Sequence, residues 1–212
     1  FVVYYRFIGV LYRIAAEQGD AVAQWNLGLM YSEGKGVTQN KATAAEWYRK
    51  AAQQDDASAQ YLLGLIYDEG EGVTQNKATA VEWYRKAAQQ GDADAQINLG
   101  YMYYKGEGVT QNKATAAEWY RKAAEQGDAN AQWNLGQIYY KGEGVTQNKA
   151  TAVEWYRKAA QQGDAGAQFS LGKIYYHGNG VTQKKATAAE WYRKAAGQVD
   201  ANDQNMSLIH IS

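Results

Sequence analysis

The sequence predicts an all-α fold, a solenoid of helix-turn-helix repeats with a period of 36 residues. Aspartates recur every 36 residues from Asp20 to Asp200, and glycines do so from Gly28 to Gly172. The stretch GVTQNKATAAEWYRKAA at residues 36–52 returns in four further copies with few changes. Each copy carries apolar residues at helical spacing, and the chain contains no proline that would interrupt a helix.

The first helix of each repeat begins after an aspartate. Asp20 is a good N-cap, and residues 21–33 carry Leu27 and Tyr31 at helical spacing. Gly34 follows, and glycine accepts the left-handed conformation that ends many helices. We therefore expect a helix over residues 21–33.

The second helix of each repeat begins near Asn40, with Thr38 as an alternative cap, and extends to about Gln54. Glu46 and Lys50 are four residues apart, so we expect them to form an ion pair on the solvent side. In later copies a glycine ends this helix.

Small residues in both helices allow the helix axes to approach closely. They are Ala23, Gly28, Ala42, Ala45 and Ala51. Trp47 and Tyr48 supply the apolar area that one hairpin buries against its neighbour. A single hairpin cannot cover this area alone, whereas a stack of similar hairpins can.

The repeat boundaries divide the chain into three parts. Residues 1–19 resemble a degenerate second half of an N-terminal repeat, and residues 200–212 are an aborted sixth repeat or a non-native tail. The five full repeats are residues 20–55, 56–91, 92–127, 128–163 and 164–199. The glycine that ends the second helix is Gly91, Gly127 or Gly163, with Asp55 and Val199 at the equivalent positions.

Composition restricts the functions that remain. Lys plus Arg and Asp plus Glu both number 22, so a basic face for nucleic acid is not expected. The chain has no cysteine, and no His/Asp/Glu cluster has metal-ligand spacing, so we expect neither a metal nor a cofactor. No apolar run reaches the ~18 residues of a transmembrane helix. The chain lacks an initiator Met, and we expect the native N-terminus to be missing. We expect a soluble protein, either exported or periplasmic or else cytoplasmic, and the sequence does not distinguish these compartments. It does not define the oligomeric state either.

The repeat resembles the Sel-one-like repeat family, a relative of the tetratricopeptide repeat. The pattern is A-x-x-x-L-G-x-x-Y-x-x-G-x-G-V followed by K-A-x-x-x-x-W-Y-x-K-A-A, and it covers residues 12–204. This resemblance implies a right-handed superhelix with a concave surface and an adaptor or scaffold role, often in bacteria. Some bacterial relatives are cysteine-rich and linked to β-lactam binding, and the absence of cysteine separates this chain from them.

Variation among the copies is concentrated on one face of the first helix, which we call the variable face. The changing positions in the first copy are Val22, Trp25, Asn26, Leu29, Ser32 and Glu33. They fall within an arc of roughly 120° on a helix. By comparison with tetratricopeptide-like units, this face lines the concave groove. We therefore predict a protein–protein interaction scaffold that binds a peptide or protein segment in that groove.

The predicted groove residues are aromatic, apolar, amide and charged. The aromatic and apolar ones are Trp25, Leu29, Tyr61, Tyr101, Tyr104, Trp133, Tyr140, Phe169 and Tyr176. The asparagines are Asn26, Asn98 and Asn134, whose amides both donate and accept hydrogen bonds. The charged ones run from Glu33, Asp68 and Glu69 early in the chain to Lys105, Lys141 and Lys173 later. The alternative is that the large side chains pack against the neighbouring repeat and the charges are merely solvated.

Two other functions remain as alternatives. The aromatic row also suits carbohydrate or cell-wall binding by stacking. A remote alternative is β-lactam binding or hydrolysis, because Ser32–Lys35 and Ser170–Lys173 fit S-x-x-K. The companion motifs S-D-N and K-T-G are absent, so we expect no enzyme and no catalytic residue.

Overall fold

The computed structural model describes the backbone of residues 2–209 and the side chains of residues 7–197. Within that part of the chain the secondary structure is entirely helical, which confirms the predicted class. The helices are α1 (Val2–Glu17), α2 (Ala21–Glu33), α3 (Lys41–Ala52), α4 (Ala57–Glu69), α5 (Lys77–Gln89), α6 (Ala93–Lys105), α7 (Lys113–Glu125), α8 (Ala129–Lys141), α9 (Lys149–Gln161), α10 (Ala165–His177) and α11 (Lys185–Ile209).

The chain forms two compact units. Unit 1 extends from Phe1 to Gln111 and contains α1 to α6, and unit 2 extends from Asn112 to Ser212 and contains α7 to α11. Within each unit every helix packs against the next one in the sequence. Each unit is therefore a stack of helical hairpins, as a repeat solenoid requires.

The first helices begin and end where the sequence predicts. The Asp20 carboxylate accepts a hydrogen bond from the Ala23 backbone N–H at 2.6 Å, which caps α2. Gly34 has a φ of 73°, and its N–H donates to the Met30 carbonyl at 2.8 Å. The same two caps recur on α4, α6, α8 and α10.

Four of the second helices, α3, α5, α7 and α9, are capped by asparagine. The Asn40 side-chain oxygen accepts from the Thr43 N–H at 3.0 Å, so Asn40 caps α3 and the alternative cap Thr38 is wrong. Helix α3 ends at Ala52, two residues before the predicted Gln54.

The lysine at the end of each second helix lies over a tryptophan. Lys50 Nζ is 4.0 Å from the centroid of the Trp47 ring, and the four later copies repeat this contact. Among the described residues Lys50 forms no ion pair with Glu46, so the predicted pair is wrong. Attraction to the face of the Trp47 ring, which is one residue closer in the helix than Glu46, holds the ammonium instead.

The turn between repeats uses the left-handed conformation. Gly91 has a φ of 98°, and Asp55 at the equivalent position has a φ of 62°, which is costly for a residue with a Cβ. Val199 lies at the same position in the last repeat. The helix does not end there as expected, because α11 continues from Lys185 to Ile209. The side chains of the segment 200–212 lie outside the described residues.

Within each unit, the core of a hairpin is a tyrosine packed on a glycine. A Cβ added to Gly28 would lie 2.7 Å from Cδ1 of Tyr48, so only glycine fits under this ring. Tyr48 is 3% exposed and Leu27 is fully buried. Trp47 is only half-buried, against the cluster that includes Leu27, and Ala42 is exposed. Both residues therefore contribute apolar area, the tyrosine with a buried ring and the tryptophan with a half-buried one.

Successive hairpins approach each other through the second glycine of the G-x-G motif. A Cβ on Gly72 would overlap the backbone of Lys41 and Ala42 at the start of α3. Gly108 has the same relation to Lys77 in unit 1. This close backbone approach explains why the motif carries two glycines, of which only the first caps a helix.

Candidate interaction site

The predicted groove residues occupy the accessible side of the first helices. None of them is fully buried, and they are half-buried or exposed. In unit 1 they are Trp25, Asn26, Leu29, Glu33, Tyr61, Asp68, Glu69, Asn98, Tyr101, Tyr104 and Lys105. In unit 2 they are Trp133, Asn134, Tyr140, Lys141, Phe169, Lys173 and Tyr176.

The two tryptophans of the set contribute to the stack itself. Trp25 packs against a buried cluster of the following repeat that includes Ala59 and Leu63. Trp133 packs in the same way in unit 2, and its Nε1 would lie 3.0 Å from a Cβ added to Gly166. The indole nitrogens of both are buried and have no hydrogen-bond partner. Packing against the neighbouring repeat thus covers much of the surface of these two side chains.

Other aromatic side chains on the variable face remain accessible. Phe169 is 57% exposed, and Tyr101 and Tyr176 are each 46% exposed. The Phe169 ring lies 5.5 Å from the Tyr192 ring, centroid to centroid, which fixes one side of it and leaves the other open. These rings are therefore the large apolar surfaces that a partner can reach.

The asparagines use part of their hydrogen-bonding capacity within their own helices. Asn26 Nδ2 donates to the Val22 carbonyl at 2.8 Å, and Asn134 Nδ2 donates to the Asn130 carbonyl at 3.0 Å. An asparagine amide has a second N–H and an oxygen. The row therefore presents fewer donors to a ligand than the sequence suggested.

The variable face of unit 1 carries an acidic patch. Asp68 and Glu69 lie at the end of α4, and Asp68 Oδ1 is 3.9 Å from Lys77 Nζ. Burial raises the pKa of the Asp68 carboxyl, although the Lys77 ammonium opposes the change. Burial and the Asp68 charge also raise the pKa of Tyr84, whose buried hydroxyl lies near Asn98 without a well-formed hydrogen bond.

The variable face of unit 2 contains a pocket between α8, α9 and α10. Its volume is about 200 Å³. Four of the predicted residues line it, namely Tyr140, Lys141, Phe169 and Lys173. The rest of the lining is Gln137, Tyr156, Ser170 and Ile174. We call it the Lys141–Lys173 pocket, because its two charged residues are both lysines.

Sequence reasoning missed an ion-pair series between hairpins. Lys41 Nζ lies 2.7 Å from a Glu71 carboxylate oxygen, and the pairs Lys77–Glu107 and Lys113–Glu143 repeat this contact. The fourth lysine is Lys149, and Asn179 replaces its glutamate. The constant spacing of 30 residues between lysine and glutamate was the available signal. The series ends beside the Lys141–Lys173 pocket, because Asn179 Nδ2 donates to the Tyr140 hydroxyl at 3.3 Å.

The structure also places the serines of the S-x-x-K stretches. Ser170 Oγ donates to the Gly166 carbonyl of its own helix at 2.7 Å, which is a common helical bond of serine. Ser32 Oγ lies 3.5 Å from Lys41 Nζ, the lysine that also pairs with Glu71.

Stacked hairpins with a fixed second helix and a variable first helix define a helical repeat protein of the solenoid class. The Sel1 repeat family profile matches residues 10–20, 21–56, 57–92, 93–128, 129–164 and 165–200. The chain therefore belongs to the Sel1 repeat family, which confirms the resemblance seen in the sequence. Proteins of this family are generally non-catalytic scaffolds for protein interactions.

Solved structures show the same fold. A protective antigen of uropathogenic Escherichia coli strains with an SLR fold is 44% identical, with a TM-score of 0.85 over 88% of this chain. The present chain spans only 40% of the length of that protein. A Sel1 repeat protein from Oxalobacter formigenes is 36% identical, with a TM-score of 0.83, covering 90% of this chain and 84% of that one.

A third solved structure resembles the chain in fold alone. It is an immunity protein from Pseudomonas aeruginosa, 24% identical, with a TM-score of 0.52 over 92% of this chain and 74% of that one. The comparison with curated proteins gave no match. None of the helices in the described part of the chain has the length and apolar character needed to cross a membrane.

Proposed function

We propose that the chain is a protein-interaction scaffold that binds a protein or peptide segment along its variable face, with the Lys141–Lys173 pocket as one contact site. The observation that carries this proposal is the lining of that pocket. Comparison of the repeats with each other selected Tyr140, Lys141, Phe169 and Lys173, and all four line one cavity. They come from two successive first helices, α8 and α10, so a bound segment would contact two repeats.

The constant residues of the second helices support this assignment because they are already engaged in the stack. Arg49 donates to the Tyr67 hydroxyl at 2.8 Å, and Lys50 lies over Trp47. Similar contacts recur along the chain, so these residues are repeated for packing. The residues that vary carry fewer such contacts, as expected for positions selected by a partner.

The exposed aromatic rings are the proposed main contributors to affinity. Aromatic side chains dominate the binding energy of many interfaces. Phe169 is more than half exposed, and Tyr140 lies in the same pocket. Trp133 remains in the proposed site, but truncating it also removes packing on the following repeat. Phe169 and Tyr140 therefore give cleaner tests than the tryptophans.

The test begins with a pull-down from the source organism, followed by titration of the recovered partner. Phe169→Ala should weaken binding by about 1–2 kcal/mol, because a contact ring is removed. The control is Glu154→Ala in α9, an exposed position on the constant outer face of the same unit. It should leave the affinity unchanged. Equal affinity for the parent and Phe169→Ala, together with a loss in Glu154→Ala, would refute the proposal.

Carbohydrate binding is tested in the same assay. The exposed rings of Tyr101, Phe169 and Tyr176 are the residues available for stacking on a sugar. Titration with cell-wall glycan fragments, with Phe169→Ala beside the parent, separates this alternative from segment binding. Saturable glycan binding that depends on Phe169, with no protein partner recovered, would favour it.

A further inference from the structure

We infer that the Lys141–Lys173 pocket binds a carboxylate of the partner segment, and that the segment is therefore acidic. This inference rests on the proposed function, because it names the chemistry of the ligand that the same site takes. The charges, the hydrogen-bonding groups and the apolar walls of the pocket support it.

The charges that line the pocket are all positive. Lys141 and Lys173 come from α8 and α10, and neither helix contains an aspartate or glutamate. Both side chains are exposed, and within the described part of the chain neither forms an ion pair. Two ammonium groups without carboxylate partners at one cavity favour an anionic ligand.

A third ammonium group lies beside the pocket. Lys149 Nζ is 5.7 Å from the centroid of the Tyr140 ring. Its counterparts in earlier repeats pair with glutamates, whereas Asn179 replaces that glutamate here. Among the described residues Lys149 therefore has no carboxylate partner. The single change from glutamate to asparagine both releases this lysine and removes a negative charge from the neighbourhood.

The hydroxyl groups of the pocket complete a site for a carboxylate. Tyr140 accepts a hydrogen bond from the Asn179 amide, so its own O–H remains able to donate. The Tyr156 hydroxyl is protonated at neutral pH, as in any tyrosine, and burial raises its pKa further. Ser170 already donates to Gly166 and contributes only an acceptor. Two tyrosine donors and two lysines match an acceptor-only group.

The remaining walls are apolar. Phe169 presents an exposed ring, and the buried Ile174 lines the same pocket. At about 200 Å³ the pocket is smaller than the ~300–1,000 Å³ typical of sites for whole small molecules. Its size suits one or two side chains of a longer segment. We therefore expect the carboxylate to belong to a segment that also carries an aromatic or aliphatic side chain nearby.

The corresponding positions of α4 and α6 in unit 1 carry two acidic residues and lack the second lysine. The residues 72 positions before Tyr140 and Lys141 are Asp68 and Glu69, and Tyr101 corresponds to Lys173. An acidic segment would be repelled at that site, since like charges disfavour association. The pocket of unit 2 and the α4–α6 positions of unit 1 thus differ in charge, although both are built from the same repeat.

The test is a selection of random peptides displayed on phage against the intact chain. The parent should enrich peptides with Asp or Glu beside Phe, Tyr or Leu. The synthetic form of the most enriched peptide should bind at least about tenfold more weakly to Lys141→Gln/Lys173→Gln. The control is Lys122→Gln/Lys158→Gln, which removes the same charge from second helices of the same unit and should change the affinity less than about twofold. Lys141→Glu/Lys173→Glu should reverse the selection towards basic peptides.

A second measurement needs no variant. Raising the salt concentration from about 0.05 M to about 0.5 M should weaken binding of the acidic peptide to the parent, because exposed charges are screened. Enrichment of neutral or basic peptides by the parent, or affinity that is independent of salt, overturns this inference and leaves the proposed function standing. If no peptide is enriched and the natural partner binds Phe169→Ala as well as the parent, the proposed function is wrong and this inference falls with it.

Discussion

Gly64→Ala tests the packing that sets the distance between the two helices of a hairpin. A Cβ at this position would lie 2.5 Å from Cδ1 and 2.6 Å from Cε1 of Tyr84. Ordinary carbon contacts are about 3.5–4.0 Å, so the ring would have to move by about 1 Å. Tyr84 is fully buried, so a shift of its ring would displace neighbouring core side chains. Glycine is therefore required at this helical position by the ring, not by the backbone.

The expected net effect is a loss of about 2 kcal/mol in the free energy of unfolding. Overpacking of a core costs about 1–3 kcal/mol, and a displacement of this size belongs near the upper end. Alanine returns about 1 kcal/mol through its higher helix propensity. The melting temperature should fall by about 4–8 °C, since 1 kcal/mol corresponds to about 2–4 °C in a chain of this length.

The assay is thermal and urea unfolding followed by circular dichroism, with Gly197→Ala as the matched control. Gly197 lies in α11, and a Cβ there would meet nothing within 4 Å. This control should gain up to about 1 kcal/mol from propensity alone. Tyr84→Leu in the Gly64→Ala background should recover part of the loss, because the two positions are coupled. A Gly64→Ala variant as stable as the parent would refute the reasoning.

Two further predictions concern stability. Asp55→Gly should raise the free energy of unfolding by about 0.5–1 kcal/mol, because Asp55 has a φ of 62°, which glycine adopts without strain. Urea unfolding measures the gain. If there is no gain, the contact between Asp55 and Gln60 compensates for the strain. Burial raises the pKa of Tyr48 to about 12, whereas an unfolded tyrosine ionises near 10. The unfolded state therefore loses this proton first, and the stability contributed below pH ~10 is lost as the pH rises towards ~12. Between neutral pH and pH ~12, the free energy of unfolding of Tyr48→Phe should therefore fall by about 2–3 kcal/mol less than that of the parent. The same pH dependence in both proteins would contradict the raised pKa of Tyr48.

The helix boundaries could be predicted because they depend on local chemistry. Asp20 and Asn40 accept hydrogen bonds from N–H groups three residues away, and Gly34 takes a left-handed conformation. The position of Lys50 could not be predicted in the same way. On a helix the Lys50 side chain can reach either Glu46 or Trp47. The structure shows that its ammonium lies over the Trp47 ring.

The candidate site could be predicted in part. Variation among the copies selected residues that the structure shows to be half-buried or exposed, and four of them line one pocket. It did not distinguish Trp25, which packs on the following repeat, from Phe169, which is exposed at the equivalent position. That difference depends on the neighbouring hairpin, which a single helix pattern does not describe. The role of Lys149 depends likewise on Asn179, 30 residues away.

Photo-crosslinking tests directly whether a partner binds at the variable face. Benzoylphenylalanine replaces Phe169 in one variant and Glu154 in another, and each is irradiated in an extract of the source organism. We expect the variant at position 169 to capture a specific protein partner, unlabelled parent chain to compete for it, and the variant at position 154 to capture none. Capture of that partner from position 154 and not from position 169 would show that binding occurs on the constant face of the second helices.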